Sequence, residues 1–85
     1  MKIIYSEKAL KQLKKLSKSI SVRIVDYMEE VAKLKDPRER GKILVGNLVG
    51  FWRYRVGDYR ILCRIRDDKL IISVVEIGHR RNIYK

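Results

Sequence analysis

FWRYRVGDYRILCRIR, running from Phe51 to Arg66, is the stretch that decides how the chain folds. Two runs that alternate apolar with basic residues flank Gly57-Asp58, and glycine at the first loop position suits a two-residue type II′ turn. That loop predicts a β-hairpin in which Val56 pairs with Tyr59, Arg55 with Arg60, Tyr54 with Ile61, Arg53 with Leu62, Trp52 with Cys63 and Phe51 with Arg64. Side chains alternate along a strand. Trp52, Tyr54, Val56, Tyr59, Ile61, Cys63 and Ile65 therefore share one face, and Arg53, Arg55, Arg60, Arg64 and Arg66 share the other. Arg55 directly opposite Arg60 is unfavourable by a few tenths to about 1 kcal/mol unless something negative lies between them. The hairpin is a candidate anion site.

Composition supports that reading. The chain has 85 residues, 46% hydrophobic and 36% charged, which is the make-up of one small folded domain spanning 1–85 with a surface crowded by charge. Twenty-one Lys and Arg against ten Asp and Glu leave a formal net charge of +11. Such a chain calls for a polyanion, an acidic partner or both. The single cysteine, Cys63, cannot form an internal disulfide and is expected to serve as a small buried hydrophobe. MKIIYSEKAL runs into charge after four apolar-rich residues, unlike a signal peptide, and no apolar stretch approaches membrane-spanning length, so a cytoplasmic protein with no membrane partner is expected. Neither a Cys/His cluster nor an acidic motif has metal-ligand spacing, and no metal or other cofactor is expected.

The rest of the chain supplies the hairpin's surroundings. Lys2 to Tyr5 reads as a first strand, and Ser6 can cap the helix that follows. That helix is amphipathic, with Ala9, Leu10, Leu13 and Leu16 as its apolar side and Lys8, Lys11, Lys14, Lys15 and Lys18 as its wet side. Ser17 to Ser21 interrupts the pattern. Ile20, Ile24, Tyr27 or Met28, Val31 and Leu34 mark a second helix, ended by Asp36-Pro37. Ile43, Leu44 and Leu48 are expected to anchor the connector from Pro37 to Gly50. Asp67-Asp68 makes a turn, and Lys69 to Ile77 reads as an interior strand, apolar on both faces, that Gly78 breaks. The predicted order is β-α-α-β-β-β. This is an α+β fold: a small, mainly antiparallel sheet with an N-terminal helical hairpin packed on one face.

Arginine's planar fork matches phosphate oxygens and stays charged at any physiological pH. Several on one sheet face, joined by Arg80 or Arg81 beyond the last strand, would hold a phosphodiester and stabilise a pentacoordinate transition state. Without a metal-generated hydroxide, the accessible reaction is attack by RNA's own 2′-OH on the adjacent phosphorus. Tyr84 could stack on a base or orient a hydroxyl. His79 is the one side chain whose ordinary pKa lies near neutrality, which makes it a candidate acid or base; a surface histidine in a polar turn is the plainer reading.

WRYRVGDYRILCRI, a hydrophobic strand and then GHRRNIY together resemble the RelE branch of the RelE/ParE toxin superfamily, with the element order matching across essentially the whole chain. The resemblance implies the toxin of a type II toxin–antitoxin pair, an endoribonuclease that enters the ribosomal A site and cuts mRNA without a metal. It implies as partners an acidic RelB-like antitoxin, the ribosome and mRNA, and operator DNA for the antitoxin complex. By motif, the family's basic strand residues fall on Arg53 and Arg55, its arginine after the turn on Arg60, and its C-terminal arginine and tyrosine on Arg80 and Tyr84. Arg53, Arg64 and Arg81 are expected to bind substrate. Where the family often carries a lysine proposed as general base, this chain has Arg55, so Arg55 and His79 compete for that role. Two other readings stand beside this one: a ParE-like toxin that poisons gyrase, and a basic RNA-binding domain that cuts nothing.

Overall fold

The computed structural model describes residues 1–79, apart from the side chain of Leu48. Arg80, Arg81 and Tyr84 lie outside the described residues. In chain order the elements are β1 (Lys2–Tyr5), α1 (Glu7–Lys15), α2 (Lys18–Lys33), β2 (Lys42–Ile43), β3 (Trp52–Val56), β4 (Tyr59–Arg66) and β5 (Ile71–His79). They form a five-stranded sheet ordered β1-β5-β4-β3-β2, in which only the β1–β5 pair is parallel. The α+β class and the helical hairpin on one face are as expected. The extra strand, β2, is two residues long and too short for any periodicity to reveal.

The hairpin adopts the expected register from Val56–Tyr59 to Trp52–Cys63. Gly57 has φ +58° and Asp58 is not among the residues with positive φ, as a type II′ turn requires. Tyr54, Ile61, Cys63, Ile72 and Val74 on the inner sheet face meet Ala9 of α1 and Ile24, Met28 and Val31 of α2, all of them fully buried. Among the described residues no helix is long and apolar enough to cross a membrane.

Both helices begin on serine caps. Ser6 Oγ accepts from Ala9 N at 3.0 Å and Ser17 Oγ from Ile20 N at 3.4 Å. Ser19 and Ser21 therefore lie inside α2, and the break between the helices is only Leu16-Ser17. Leu10, expected on the buried side, is 44% exposed, because the stripe of α1 that meets the sheet runs through Ala9 and Leu13.

The connector is held differently from the expectation. Of the expected anchors Ile43 is 62% exposed, Leu44 is half-buried and the Leu48 side chain lies outside those described, while the neighbouring Val45 and Val49 are exposed. Instead, two aromatic tips from β3 reach out to the connector backbone: Tyr54 Oη donates to Pro37 O and Trp52 Nε1 to Arg40 O, each at 2.7 Å. Arg38 adds a two-pronged contact to Asp67 at 3.0 and 2.8 Å. This close docking needs Gly41, with φ +80°, because a Cβ there would collide with the Arg53 carbonyl oxygen and Trp52 Nε1. Periodicity finds buried side chains, and here the contacts are side-chain polar tips on backbone carbonyls.

The last strand also departs from its predicted bounds. Lys69 belongs to a 3₁₀ turn, Leu70 is left-handed at φ +54°, and the strand runs on through Gly78 to His79. Its pairing with β4 slips by one residue, from Leu62–Glu76 to Cys63–Val74, so Val75 is extra. The start of α1 covers this bulge. Ser6 N donates to Val74 O at 2.9 Å, Ser6 Oγ donates to Val75 O at 2.8 Å, and Ile77 N donates to Gln12 Oε1 at 2.6 Å.

Gly41→Ala should lower unfolding free energy by about 2 kcal/mol or more, since it combines a strained φ with a steric clash. Urea unfolding checks this, and a loss under about 0.5 kcal/mol would mean that the connector does not dock as described. Burial also raises the Cys63 thiol above its ordinary 9.0, and burial, reinforced by Glu29 and Cys63, raises the Tyr5 phenol from 10.0 to about 12. The unfolded chain therefore releases these protons first. Stability should be full below pH 9 and fall as pH rises toward 12, with Tyr5→Phe flattening the upper part of the decline.

Candidate phosphate-binding face

The helices cover one face of the sheet and leave the other open. Because directly paired residues point to the same side, the register lays out this open face in rows. One row is Arg55 (β3), Arg60 (β4) and Gly78 (β5). The next is Lys42 (β2), Arg53, Leu62 and Glu76. Beyond it come Arg64, Ser73 and Ile4, then Arg66, Ile71 and Lys2.

Arg53, Arg55, Arg60 and Arg64 are thus gathered on one face. Arg55 is exposed and stands opposite Arg60, the like-charge pair expected from the turn. Arg60 is half-buried, as is Arg53, whose Nε is buried without a hydrogen-bond partner among the described residues. Arg64 lies over the Phe51 ring with its guanidinium carbon 4.4 Å from the centroid. No carboxylate lies within ion-pair distance of Lys42, Arg53, Arg55 or Arg64 among the described residues. Two carboxylates of the sheet and its turns are engaged elsewhere: Glu76 meets Lys8 at 3.1 Å, and Asp67 meets Arg38, whose guanidinium holds the Asp67 carboxyl below its ordinary range.

Three residues of this face escaped the sequence reading. Leu62 is 4% exposed yet lies on the open side, flanked by Arg60 and Arg64 along its strand and by Arg53 across it. It is a water-shielded apolar residue set among the arginines. Gly78, expected to break the strand, lies within β5, and in its row it puts no side chain beside Arg60. Lys42 enters through β2, which carries no pattern of its own.

His79 falls elsewhere. It pairs with Tyr59, and the two rings meet edge-on with centroids 5.6 Å apart. Tyr59 packs against the helix-side core, so the pairing puts His79 on that side of the sheet, opposite to Arg55 and Arg60. The Val75 bulge is the cause, since without the extra residue Ile77 and His79 would face the open side. The structure brings together Arg53, Arg55, Arg60 and Arg64, and separates His79 from them.

A parallel edge strand, a helical hairpin covering one side and an arginine-lined open side define a compact class of small basic toxins. The chain belongs to the ParE toxin family of type II toxin–antitoxin systems, whose family model matches residues 3–84, and so to the RelE/ParE superfamily. Toxin RelG of Mycobacterium tuberculosis is 30% identical over 81 residues, covering 95% of this chain and 92% of RelG. The toxin–antitoxin complex RelBE2 of the same organism contains a chain that superposes with TM-score 0.84 at 27% identity, covering 95% of this chain and 92% of that one. A chain of the RelB–RelE antitoxin–toxin complex from Methanococcus jannaschii gives TM-score 0.71 at 26% identity, covering 95% and 94%.

Arg55→Gln removes one member of the Arg55–Arg60 pair without touching the core. It should raise stability by a few tenths to about 1 kcal/mol in low-salt urea unfolding, with the gain shrinking as salt is added. A variant less stable than the parent at every salt concentration would show that the pair is not under repulsion.

Proposed function

We propose that this toxin is a ribosome-dependent endoribonuclease that cleaves mRNA through attack of the substrate 2′-OH on the adjacent phosphorus, arresting translation. The observation that carries the reading is the row Arg55–Arg60–Gly78: two arginines paired directly across β3 and β4 with a glycine next in the row, on the side of the sheet opposite the helices. A phosphodiester lodged there relieves the repulsion of the pair and accepts bidentate hydrogen bonds. As the 2′-oxygen closes on phosphorus, charge builds on the equatorial oxygens. Guanidinium groups already in place stabilise that charge with little reorganisation.

Of the two candidates for the base, Arg55 is the one on this face. Arginine is a weak base at pKa above about 12. We therefore assign most of the rate enhancement to in-line alignment of the 2′-oxygen and to charge stabilisation, with the 2′-OH proton passing toward Arg55 or to solvent. By motif, Arg80 joins Arg60 on the phosphate or protonates the leaving 5′-oxygen, Tyr84 orients the substrate, and Arg53, Arg64 and Arg81 hold its backbone. The mycobacterial and archaeal relatives are found in complexes with antitoxins, and a chain of net charge +11 suits an acidic RelB-like antitoxin of its own, the complex binding operator DNA. We place the toxin in the cytoplasm, where its ribosomal target lies.

The family model's ParE description favours a second reading, in which the same scaffold inhibits gyrase and cleaves nothing. A cell-free translation reaction separates the two. With added toxin, new mRNA ends bearing 2′,3′-cyclic phosphates should appear at ribosome-occupied codons. Arg55→Ala and Arg60→Ala should each reduce cleavage by about 10²-fold or more, while His79→Gln should change it by less than about threefold. Intact transcripts together with loss of gyrase supercoiling would establish the gyrase reading instead. Salt-sensitive RNA binding with neither effect would leave a binding domain.

A further inference from the structure

A second like-charge pair lies beside the first. Lys42 is the direct partner of Arg53 across β2 and β3, just as Arg55 is of Arg60 across β3 and β4. Arg53 and Arg55 are two residues apart on one strand, so the two pairs are spaced about 7 Å along it. Three further observations single out the Lys42–Arg53 pair. A cavity of about 210 Å³ opens at this edge, lined by Tyr27, Gly41, Lys42, Arg53 and Arg55. Arg53 Nε is buried next to it with no hydrogen-bond partner among the described residues, a donor whose desolvation is unrewarded in the free protein. And β2 stops at Lys42, so the chain turns away at Gly41 and leaves the β3 edge open beside Arg55.

We propose that the Lys42–Arg53 pair and the cavity beside it form a second phosphate subsite, which holds the phosphodiester adjoining the one held between Arg55 and Arg60. The assignment rests on the nuclease reading for its substrate, a single-stranded RNA backbone, and adds two residues, Lys42 and Tyr27, to those that bind it. The spacing of the pairs is close to the reach of one unstacked nucleotide, so successive phosphates of an extended strand meet successive pairs. Arg55 lines the cavity and also faces Arg60, which joins the subsites into one track. The Tyr27 ring is fixed from two sides, edge-on to Tyr54 at 6.1 Å and under the Arg40 guanidinium at 5.5 Å. That leaves its hydroxyl, rather than its ring face, to meet a phosphate oxygen. RNA is favoured as the occupant because its phosphates belong to the backbone and recur at this spacing whatever the sequence, whereas a peptide matches it only when extended with acidic side chains at alternate positions.

The test uses the whole chain and 2′-deoxy dinucleotides, which carry a single phosphodiester and cannot be cleaved, with the fluorescence of Trp52 beside Gly41 reporting binding. A terminal phosphate at one end or the other supplies the second anion and should tighten binding about tenfold over the same dinucleotide with hydroxyl ends. Lys42→Ala should cut that advantage to threefold or less and Tyr27→Phe should reduce it, both with unchanged melting temperature. Equal affinity with and without the terminal phosphate at either end, or an advantage that survives Lys42→Ala, overturns the subsite. So does an acidic peptide of equal charge that binds as tightly and with the same dependence on Lys42. If phosphate-dependent binding is found but the parent protein cuts no mRNA on ribosomes, the nuclease reading falls and the subsite stands; cleavage without phosphate dependence sinks the subsite alone.

Discussion

One residue too many in β5 governs how the two faces of the sheet are used. Val75 has no counterpart in β4, and every side chain after it is displaced to the other side of the sheet. Ile77 thereby joins the core at 2% exposure, Gly78 falls beside Arg60, and His79 turns toward Tyr59. An extra residue in a strand leaves backbone groups that the ladder cannot satisfy. Here β1 is short enough to end at Tyr5, and the start of α1 occupies the vacated edge, with Ser6 and Gln12 bonding the groups around the bulge. The cap that starts α1 and the device that shapes the open face share a residue.

Charge is the opposing constraint. The cross-strand cation pair Lys42–Arg53, with Glu76 of the same row drawn off to Lys8, works against the stability of a domain with a modest core. Natural sheets usually place opposite charges at such positions. The hydrophobic contacts of α2 with β3 through β5 must therefore offset a repulsion that serves no structural end, and anything anionic bound on this face stabilises the fold by mass action. Net charge makes the same demand over longer range, steering polyanions toward the molecule before any contact forms.

The hairpin was legible because its two signals are independent and agree. A period-2 pattern and a Gly-Asp turn each imply the pairing of Arg55 with Arg60, and a slip of one residue would have put five arginines in the core. The helices were legible through their apolar stripes, with Leu10 misplaced because a three-residue spacing leaves the exact stripe ambiguous. β2 was not legible, since two residues adopt strand geometry only by pairing with β3. Nor was the bulge, because VVEIGH has the same composition with or without a register shift, and the shift is decided by Ser6 and Gln12 from a distant part of the chain. The reading of Gly78 as a breaker and the placing of His79 with the arginines both follow from that missed slip. Of the site, the arginines on β3 and β4 could be read from the sequence, while Lys42, Leu62 and Gly78 depend on tertiary pairing.

Leu62 shows why this face suits anion chemistry better than a count of charges suggests. A guanidinium in open water interacts weakly with a phosphate, since both are well solvated and the dielectric is high. Leu62, 4% exposed and flanked by Arg53, Arg60 and Arg64, sets a water-shielded apolar side chain among those residues, and Arg53 Nε is itself buried. The desolvation of that one donor is thus offset by folding, so that a phosphate binding as proposed would meet a group already out of water. Arginine tolerates that setting better than lysine, because its delocalised charge is less strongly hydrated and its stem packs along apolar surface. A histidine on this face would add a proton acceptor, but the bulge directs the one present to the other side, and what remains on the described part of this face is a set of arginines whose chemistry is to attract and stabilise negative charge.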